Sequence, residues 1–522
     1  MTSSRFGRID RRRLVASSVV GGAAILATGQ PSLAGTRADT PILVSAQDGS
    51  SDVPMFRGNA ARTGVMPGPG PDASKGIEPI WKFSVAPYIS SSPAVTNGVV
   101  YLGFNRVNQS TNLPSEATLF ALNANDGSER WRFVIGDTEL YASPAVIDGV
   151  AYLGAGNGVL YAIDTANGVE RWRFTTGKQF LTSPAVSDGM VFVGSMQKTL
   201  YAIDSSSGGE LWSFHADGFV NAAAVANGTV YFLAGRSADL RNTGNDLIAV
   251  DAKSGLEKWR FAMGGFPGGS SYPFVAPSPA VADGMVYILG PQPYGNLYAI
   301  NADDGTEFWR FSVDGDSSPV VSDGVVYVGS SSRTIYALNA ADGTERWSLE
   351  LDGSFYSSPS VSGGYLYASY KSGSIRDEIP TAVNVIALDK ETGIEEWKFT
   401  DDRTSSDIHS SPVISSGTIY VSGGSKDGIG YLYALGARVS RLSIGGTARV
   451  TEKASLRGGP APTAVERKEL KKDTTVTITG ESVRTNDVVW WPVTVDETGD
   501  QGWVEASKLE PLTSGPEPTA TA

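Results

Sequence analysis

Ser143-Pro144-Ala145-Val146-Ile147-Asp148-Gly149-Val150-Ala151-Tyr152-Leu153-Gly154 opens the stretch of this chain that decides its fold. Leu160-Tyr161-Ala162-Ile163-Asp164-Thr165-Ala166-Asn167-Gly168-Val169-Glu170-Arg171-Trp172-Arg173-Phe174 completes it. Four short strands can be read from it. Pro144-Ala145-Val146 is the first. Asp148-Gly149 signals a two-residue hairpin, because both residues tolerate positive φ. Val150–Gly154 is the second strand and Leu160–Asp164 the third. Asp164 and Gly168 then turn the chain, with the Asp side chain capping backbone amides. Glu170–Phe174 alternates charged and apolar side chains, as a half-buried outer strand does.

The unit recurs. Its proline stands at Pro93, Pro144, Pro184, Pro279, Pro319, Pro359 and Pro412, and Ala223 replaces it in the fourth copy. Eight units of four antiparallel strands predict an all-β fold, an eight-bladed β-propeller over residues 54–437. Its tryptophans are Trp81, Trp131, Trp172, Trp212, Trp259, Trp309, Trp347 and Trp397. The first precedes the first Pro-Ala-Val, and no Trp strand follows Tyr431–Leu435. Ile80–Val85 is therefore expected beside Leu432–Leu435 as the outer strand of the eighth blade. That pairing closes the ring and removes an exposed edge. Each Trp is expected to pack between blades, where burying ~200 Å² of ring at ~25 cal/mol/Å² is worth at most roughly 5 kcal/mol.

Ala-Ile-Asp-x-x-x-Gly-x-Glu-x-Trp resembles the tryptophan-docking repeat of pyrroloquinoline-quinone proteins and their non-enzymatic relatives. Phe56-Arg57-Gly58-Asn59-Ala60-Ala61-Arg62-Thr63-Gly64 resembles the segment that precedes the first blade in that group. The resemblance spans residues 54–437. For the enzymatic branch it implies a Trp floor under the quinone, a calcium ion, an Asp base and often a vicinal cysteine pair. This chain has 11 Trp, of which the repeat takes eight and the region after residue 443 takes three, and it has no cysteine. The non-enzymatic branch is the expectation, with no catalytic residue, no cofactor and no metal. A quinone-dependent dehydrogenase is the alternative, since fold alone does not carry activity.

Leu456-Arg457-Gly458-Gly459-Pro460, Trp490-Trp491-Pro492-Val493 and Gly502-Trp503-Val504 resemble elements of a bacterial SH3-like domain, over residues 443–512. The resemblance implies contacts with cell-wall peptides or with proteins. Trp490, Trp491 and Trp503 serve a core as readily as a groove. Residues 513–522 are rich in Pro, Thr and Ala and read as a disordered tail. At the other end, Asp10-Arg11-Arg12-Arg13-Leu14-Val15 resembles a twin-arginine motif. An apolar stretch to Ala27 and Ser32-Leu33-Ala34 follow it, so residues 1–34 read as an export segment and 35–53 as a linker. The expected location is extracellular or at the cell envelope, with no membrane span in the mature chain and a monomeric state.

Composition narrows the chemistry. The net charge is −13; residues 1–34 hold five Arg and one Asp, so the remainder carries −17. An acidic body is a poor nucleic-acid binder. Without cysteine there is no disulfide framework, thiolate zinc site or iron–sulfur cluster. His215 and His409 are the only histidines and fall in different blades, which leaves little for a triad or a zinc site. Asp303-Asp304 and Asp401-Asp402 sit in or beside turns and read as solvated acids. Gly154–Gly158 joins two strands and is no dinucleotide fingerprint.

A ligand face can be placed from spacing. Successive Pro-position intervals are 51, 40, 39, 56, 40, 40 and 53 residues. The extra residues fall in Phe104–Ala117, Gly235–Asp246 and Tyr370–Val383, between second and third strands, and in Gly264–Ala276, between blades. All emerge at one end of the ring. That end is expected to carry binding of a protein or cell-wall component. Three residues before the Pro positions, Tyr141, Asp316, Tyr356 and His409 are the polar candidates. Arg236, Arg241, Lys371 and Arg376 flank them on the long connections. The tight-turn end, with Asp148 and Asp188, is expected to be passive.

Overall fold

The computed structural model describes residues 51–85, 91–108, 113–177, 182–235, 245–263, 277–290, 295–315, 317–355, 357–374, 379–401, 410–424, 430–437, 447–480, 483–485 and 488–512. The expected export segment and tail lie outside them. Among the described residues no helix is long and apolar enough to cross a membrane.

Eight blades of four antiparallel strands follow one another, blade 7 gaining a two-residue fifth strand at Gly353–Ser354, and the first strands neighbour each other in a closed inner circle. Blade 2 is typical, with strands Ala145–Ile147, Val150–Gly154, Val159–Asp164 and Glu170–Thr175. The first turn of a blade has the backbone its sequence demands. Asp148 and Gly149 have φ of 50° and 74°, and the same pair of left-handed residues recurs at Asp188-Gly189 and Asp283-Gly284. The second strand Val150–Gly154 is buried throughout. The outer strand Glu170–Thr175 alternates half-buried and exposed.

The ring closes through its N-terminal strand. Ile77–Val85 pairs with Gly430–Ala437, setting Trp81 opposite Ala434 and Phe83 opposite Leu432. The expected closure is therefore present, and the pairing runs three residues further at its start.

Seven blade interfaces share one device. Trp81, Trp131, Trp172, Trp212, Trp259, Trp309 and Trp347 each donate Nε1–H to a carbonyl in the third turn of the next blade, at 2.8–3.1 Å. Each indole lies against the Gly of that turn. A Cβ on Gly168 would come within 2.7 Å of the Trp131 ring, and Gly168 also has φ of 73°. Glycine is thus required there twice over, by space and by backbone. A second-strand aromatic stacks on each Trp, as Tyr152 does on Trp172 at 5.7 Å between centroids.

The interface between blades 7 and 8 differs. After its third strand, blade 8 has no Asp-x-x-x-Gly turn, because its outer strand comes from residues 77–85. Trp397 therefore has no such turn to dock. Its partner Tyr367 keeps a buried hydroxyl without a hydrogen bond. Lys82 pairs instead with Asp401 at 3.2 Å, and the Tyr433 hydroxyl donates to the same carboxylate oxygen at 2.9 Å. The Lys82 ammonium lies 4.7 Å from the Tyr433 ring centre. Asp401 is buried, which corrects its reading as a solvated acid: it sits in the seam, where a cation from the first strand reaches it. Asp304 fits that reading, exposed in its turn and bonded to Thr306.

Residues 447–512 form a separate eight-stranded sheet around Leu456, Val476, Val493 and Val504. Trp490 is buried there, whereas Trp491 and Trp503 are half-buried.

Candidate functional site

The inner circle is occupied by the chain itself. Residues 51–70 run along the first strands of the blades. Val53 bridges Val95 of blade 1, and Pro54 accepts from Val146 of blade 2. Met55 packs among Val150, Val186 and Val191 of blades 2 and 3. Ala60, Ala61, Thr63 and Gly64 accept from Val225, Val281, Val321 and Val361 of blades 4 to 7, at 2.7–3.0 Å. Pro69 accepts from Gly417, and Ser51 from the Ser415 hydroxyl, both in blade 8. Inner edges of blades 1, 2 and 4 to 8 thus find backbone partners in one irregular segment. It lies toward the tight-turn end, where Asp52 caps the Asn97 amide. Ser51, within the expected linker, already contacts the ring. Sequence reasoning singled out Phe56–Gly64 by resemblance but had no signal for its place.

Arg57 and Arg62 project from this segment and are fully buried. The Arg57 guanidinium donates to the carbonyls of Pro359, at 2.6 Å, and Pro319, at 2.5 Å. Arg62 donates to Ser183 at 2.7 Å, to Phe56 at 3.3 Å and to Ala223. Burial lowers both side chains to about 9, and for Arg57 the Arg62 charge adds to the effect.

A belt of serines surrounds them, one residue before the Pro positions. The Ser92 amide donates to the Ser143 hydroxyl, and Ser143 to Ser183. Ser278 to Ser318, Ser318 to Ser358, Ser358 to Ser411 and Ser411 to Ser92 continue it, at 2.8–3.3 Å. Blade 4 breaks the belt with Ala222, and there Arg62 bonds the flanking carbonyls of Ser183 and Ala223.

At the other end, the long connections of blades 1 and 7 are not loops for most of their length. Val99–Asn108 pairs with Leu113–Asn123, and Tyr365–Ser374 with Ile379–Asp389, so the extra residues lengthen two hairpins. Interval lengths reveal extra residues but not whether they pair. These hairpins flank blade 8. The base of the first is tied down by Asn105, whose amide donates to Leu140 O at 2.8 Å and accepts from Leu140 N at 2.7 Å.

That clamp sets the position of Tyr141, which follows Leu140 and is half-buried. Burial raises its phenol, and Glu139 adds to the shift. Lys371 lies in the second strand of blade 7, opposite Ser354 of the inter-blade connection and Val383 of the third strand. Tyr141 stands in the connection between blades 1 and 2, and Lys371 in a strand of blade 7, with blades 8 and 1 between them. Asp316, Tyr356, His409, Arg236, Arg241 and Arg376 lie outside the described residues. At the tight-turn end, Asp148 and Asp188 occupy left-handed turn positions, as expected.

The profile of the family described as outer membrane protein assembly factor BamB matches residues 73–183, 156–292 and 293–490. This chain belongs to that family. No curated protein matches it in sequence. Among solved structures, a europium-containing methanol dehydrogenase superposes with a TM-score of 0.59 at 12% identity, over 75% of this chain and 98% of its own. Quinohemoprotein alcohol dehydrogenase ADHIIG from Pseudomonas putida HK5 gives 0.54 at 13%, over 74% and 80%. The computationally designed Ika8 protein gives 0.52 at 15%, over 68% and 99%. At these identities the BamB-family chain shares a fold with enzymes and with a designed protein alike, and the fold selects neither.

The dehydrogenase neighbours make quinone the group to test. All eleven Trp lie among the described residues. Eight stand at blade interfaces and three in the C-terminal sheet, so none is free to floor a quinone on the axis. The residues of this BamB-family propeller therefore do not fit the quinone site that the enzymatic resemblance implies.

Proposed function

We propose that this protein is a non-catalytic binding or scaffolding propeller at the cell envelope, and that its partner is a protein engaged at the end bearing the two long hairpins. The observation that carries this reading is the segment 51–70. It fills the tight-turn end with the chain's own backbone, so only the opposite end is left to offer a concave, variable surface. Membership of a family described by an outer-membrane assembly factor favours a protein partner and an envelope location. The twin-arginine-like residues 1–34 favour export. Residues 443–512, read as an SH3-like domain, would add a second contact, to cell wall or protein.

In this reading Tyr141 and Lys371 lie on the binding end, with Asp316, Tyr356, His409, Arg236, Arg241 and Arg376 around them. The test is site-specific photo-crosslinking in the native host. A crosslinker at Tyr141 or Lys371 should trap one defined protein, and one at Asp148 or Asp188 should not. Equal trapping from both ends would reject the face. Turnover of alcohols or sugars by protein reconstituted with pyrroloquinoline quinone and calcium would reject the non-catalytic reading.

A further inference from the structure

Arg57 and Arg62 raise a problem of charge. Burying a cation is tolerated when an anion and hydrogen bonds compensate it. Even the exposed outer-strand arginines have carboxylate partners: Arg132, Arg173 and Arg310 each pair with a Glu three residues earlier. Arg57 and Arg62 are at most 1% exposed and have no carboxylate partner among the described residues. Two guanidinium groups carry ten N–H donors. Five are engaged, all by neutral carbonyls. Arg57 Nε is among the rest, sealed from solvent and without an acceptor. The two positive charges are also close enough to repel.

We infer that the hub of the propeller is an anion site, in which Arg57 and Arg62 together hold one halide-sized ion, chloride in practice. Five unclaimed N–H groups and two positive charges supply the affinity. A small ion is inferred because protein covers both side chains almost completely. The ion lies among residues that tie blades 3, 4, 6 and 7 to the N-terminal segment, so its binding is linked to the stability of the closed ring. Nothing in this inference depends on the proposed partner.

The experiment is a halide titration of the full chain at constant ionic strength, with gluconate as the replacing anion. Chloride and bromide should raise Tm saturably, with a midpoint in the millimolar range or below. Sulfate should not. In crystals grown with bromide, an anomalous peak should lie within hydrogen-bonding distance of Arg57 Nε. Arg57→Met should abolish the halide dependence of Tm, and Arg132→Gln on an outer strand should leave it intact. Should Arg57→Met fail to fold, the wild-type titration and the anomalous map decide alone. Equal Tm in chloride and gluconate, or no bromide peak beside Arg57 and Arg62, would overturn the site.

Discussion

Seven blade interfaces and one seam hold this ring, and they use different physics. At the seven, an indole covers a glycine turn and donates to its carbonyl, and in five of them a second-strand tyrosine donates to the same carbonyl. The device is local to the repeat and came with each copy of it. At the seam between blades 7 and 8, the turn is missing and the indole of Trp397 keeps only its packing. Lys82, Asp401 and Tyr433 make up the difference, and they come from three distant parts of the chain. A repeat can stabilise every interface it generates, but the place where its two ends meet needs a separate solution.

The broadest effect should come with alkali. The tyrosines stacked on the tryptophans are all raised by burial, Tyr287 and Tyr420 to about 12, with Tyr101, Tyr152, Tyr231, Tyr327 and Tyr367 raised as well. Unfolded tyrosine loses its proton near pH 10, before the folded groups do. The unfolded state then binds fewer protons, so stability falls as pH rises from about 10. The lowered Arg57 and Arg62 act in the opposite sense but are only two. Thermal melts between pH 8 and pH 12 should show a plateau and then a steep decline; a flat profile to pH 12 would mean that the tyrosines are not buried as described.

Single substitutions then rank the interfaces. Trp172→Ala should cost about 3–5 kcal/mol, the usual range for a large buried aromatic. Trp397→Ala, with no turn to abandon, should cost less, and equal urea midpoints for the two would erase the distinction. Asp401→Ala should cost about 2–3 kcal/mol, because it removes the buried charged acceptor shared by Lys82 and the Tyr433 hydroxyl. The smallest effect is the sharpest test. Tyr327→Phe removes a bond to Lys390 O and should cost about 1 kcal/mol. Tyr367→Phe removes a hydroxyl that has no partner, and it should be neutral or slightly stabilising. Losses of the same size at both positions would show that the seam satisfies its tyrosine after all.

Much of this fold was legible in the sequence for a physical reason. Hairpin signals such as Asp148-Gly149, turns such as Asp164–Gly168 and the strand periodicity act within a few residues, and eight repetitions amplify them. The closing strand was legible by counting, since a Trp strand stood at one end and was missing from the other. The seam network was not, because Lys82 and Asp401 are 319 residues apart and neither position is marked by the repeat. Nor was the path of residues 51–70, most of whose bonds reach residues far along the chain. The candidate binding end was read from interval lengths. These located the hairpins of blades 1 and 7, but Tyr141 and Lys371 alone of the named side chains fall among the described residues.

The path of residues 51–85 also has a consequence for synthesis. This stretch is made before the blades, yet nearly everything it binds outside itself is made later. Its inner-strand partners appear one blade at a time, and the strand that receives Ile77–Val85 is Gly430–Ala437. Until the ribosome has passed Ala437, the first strand has no edge to join and Lys82 has no completed seam to enter. A nascent chain stopped within blade 8 would carry an open sheet edge at each end, the form in which strands recruit neighbours. The last step of making this ring therefore reaches back to its earliest residues, and the hub is enclosed in the same event that finishes the circle.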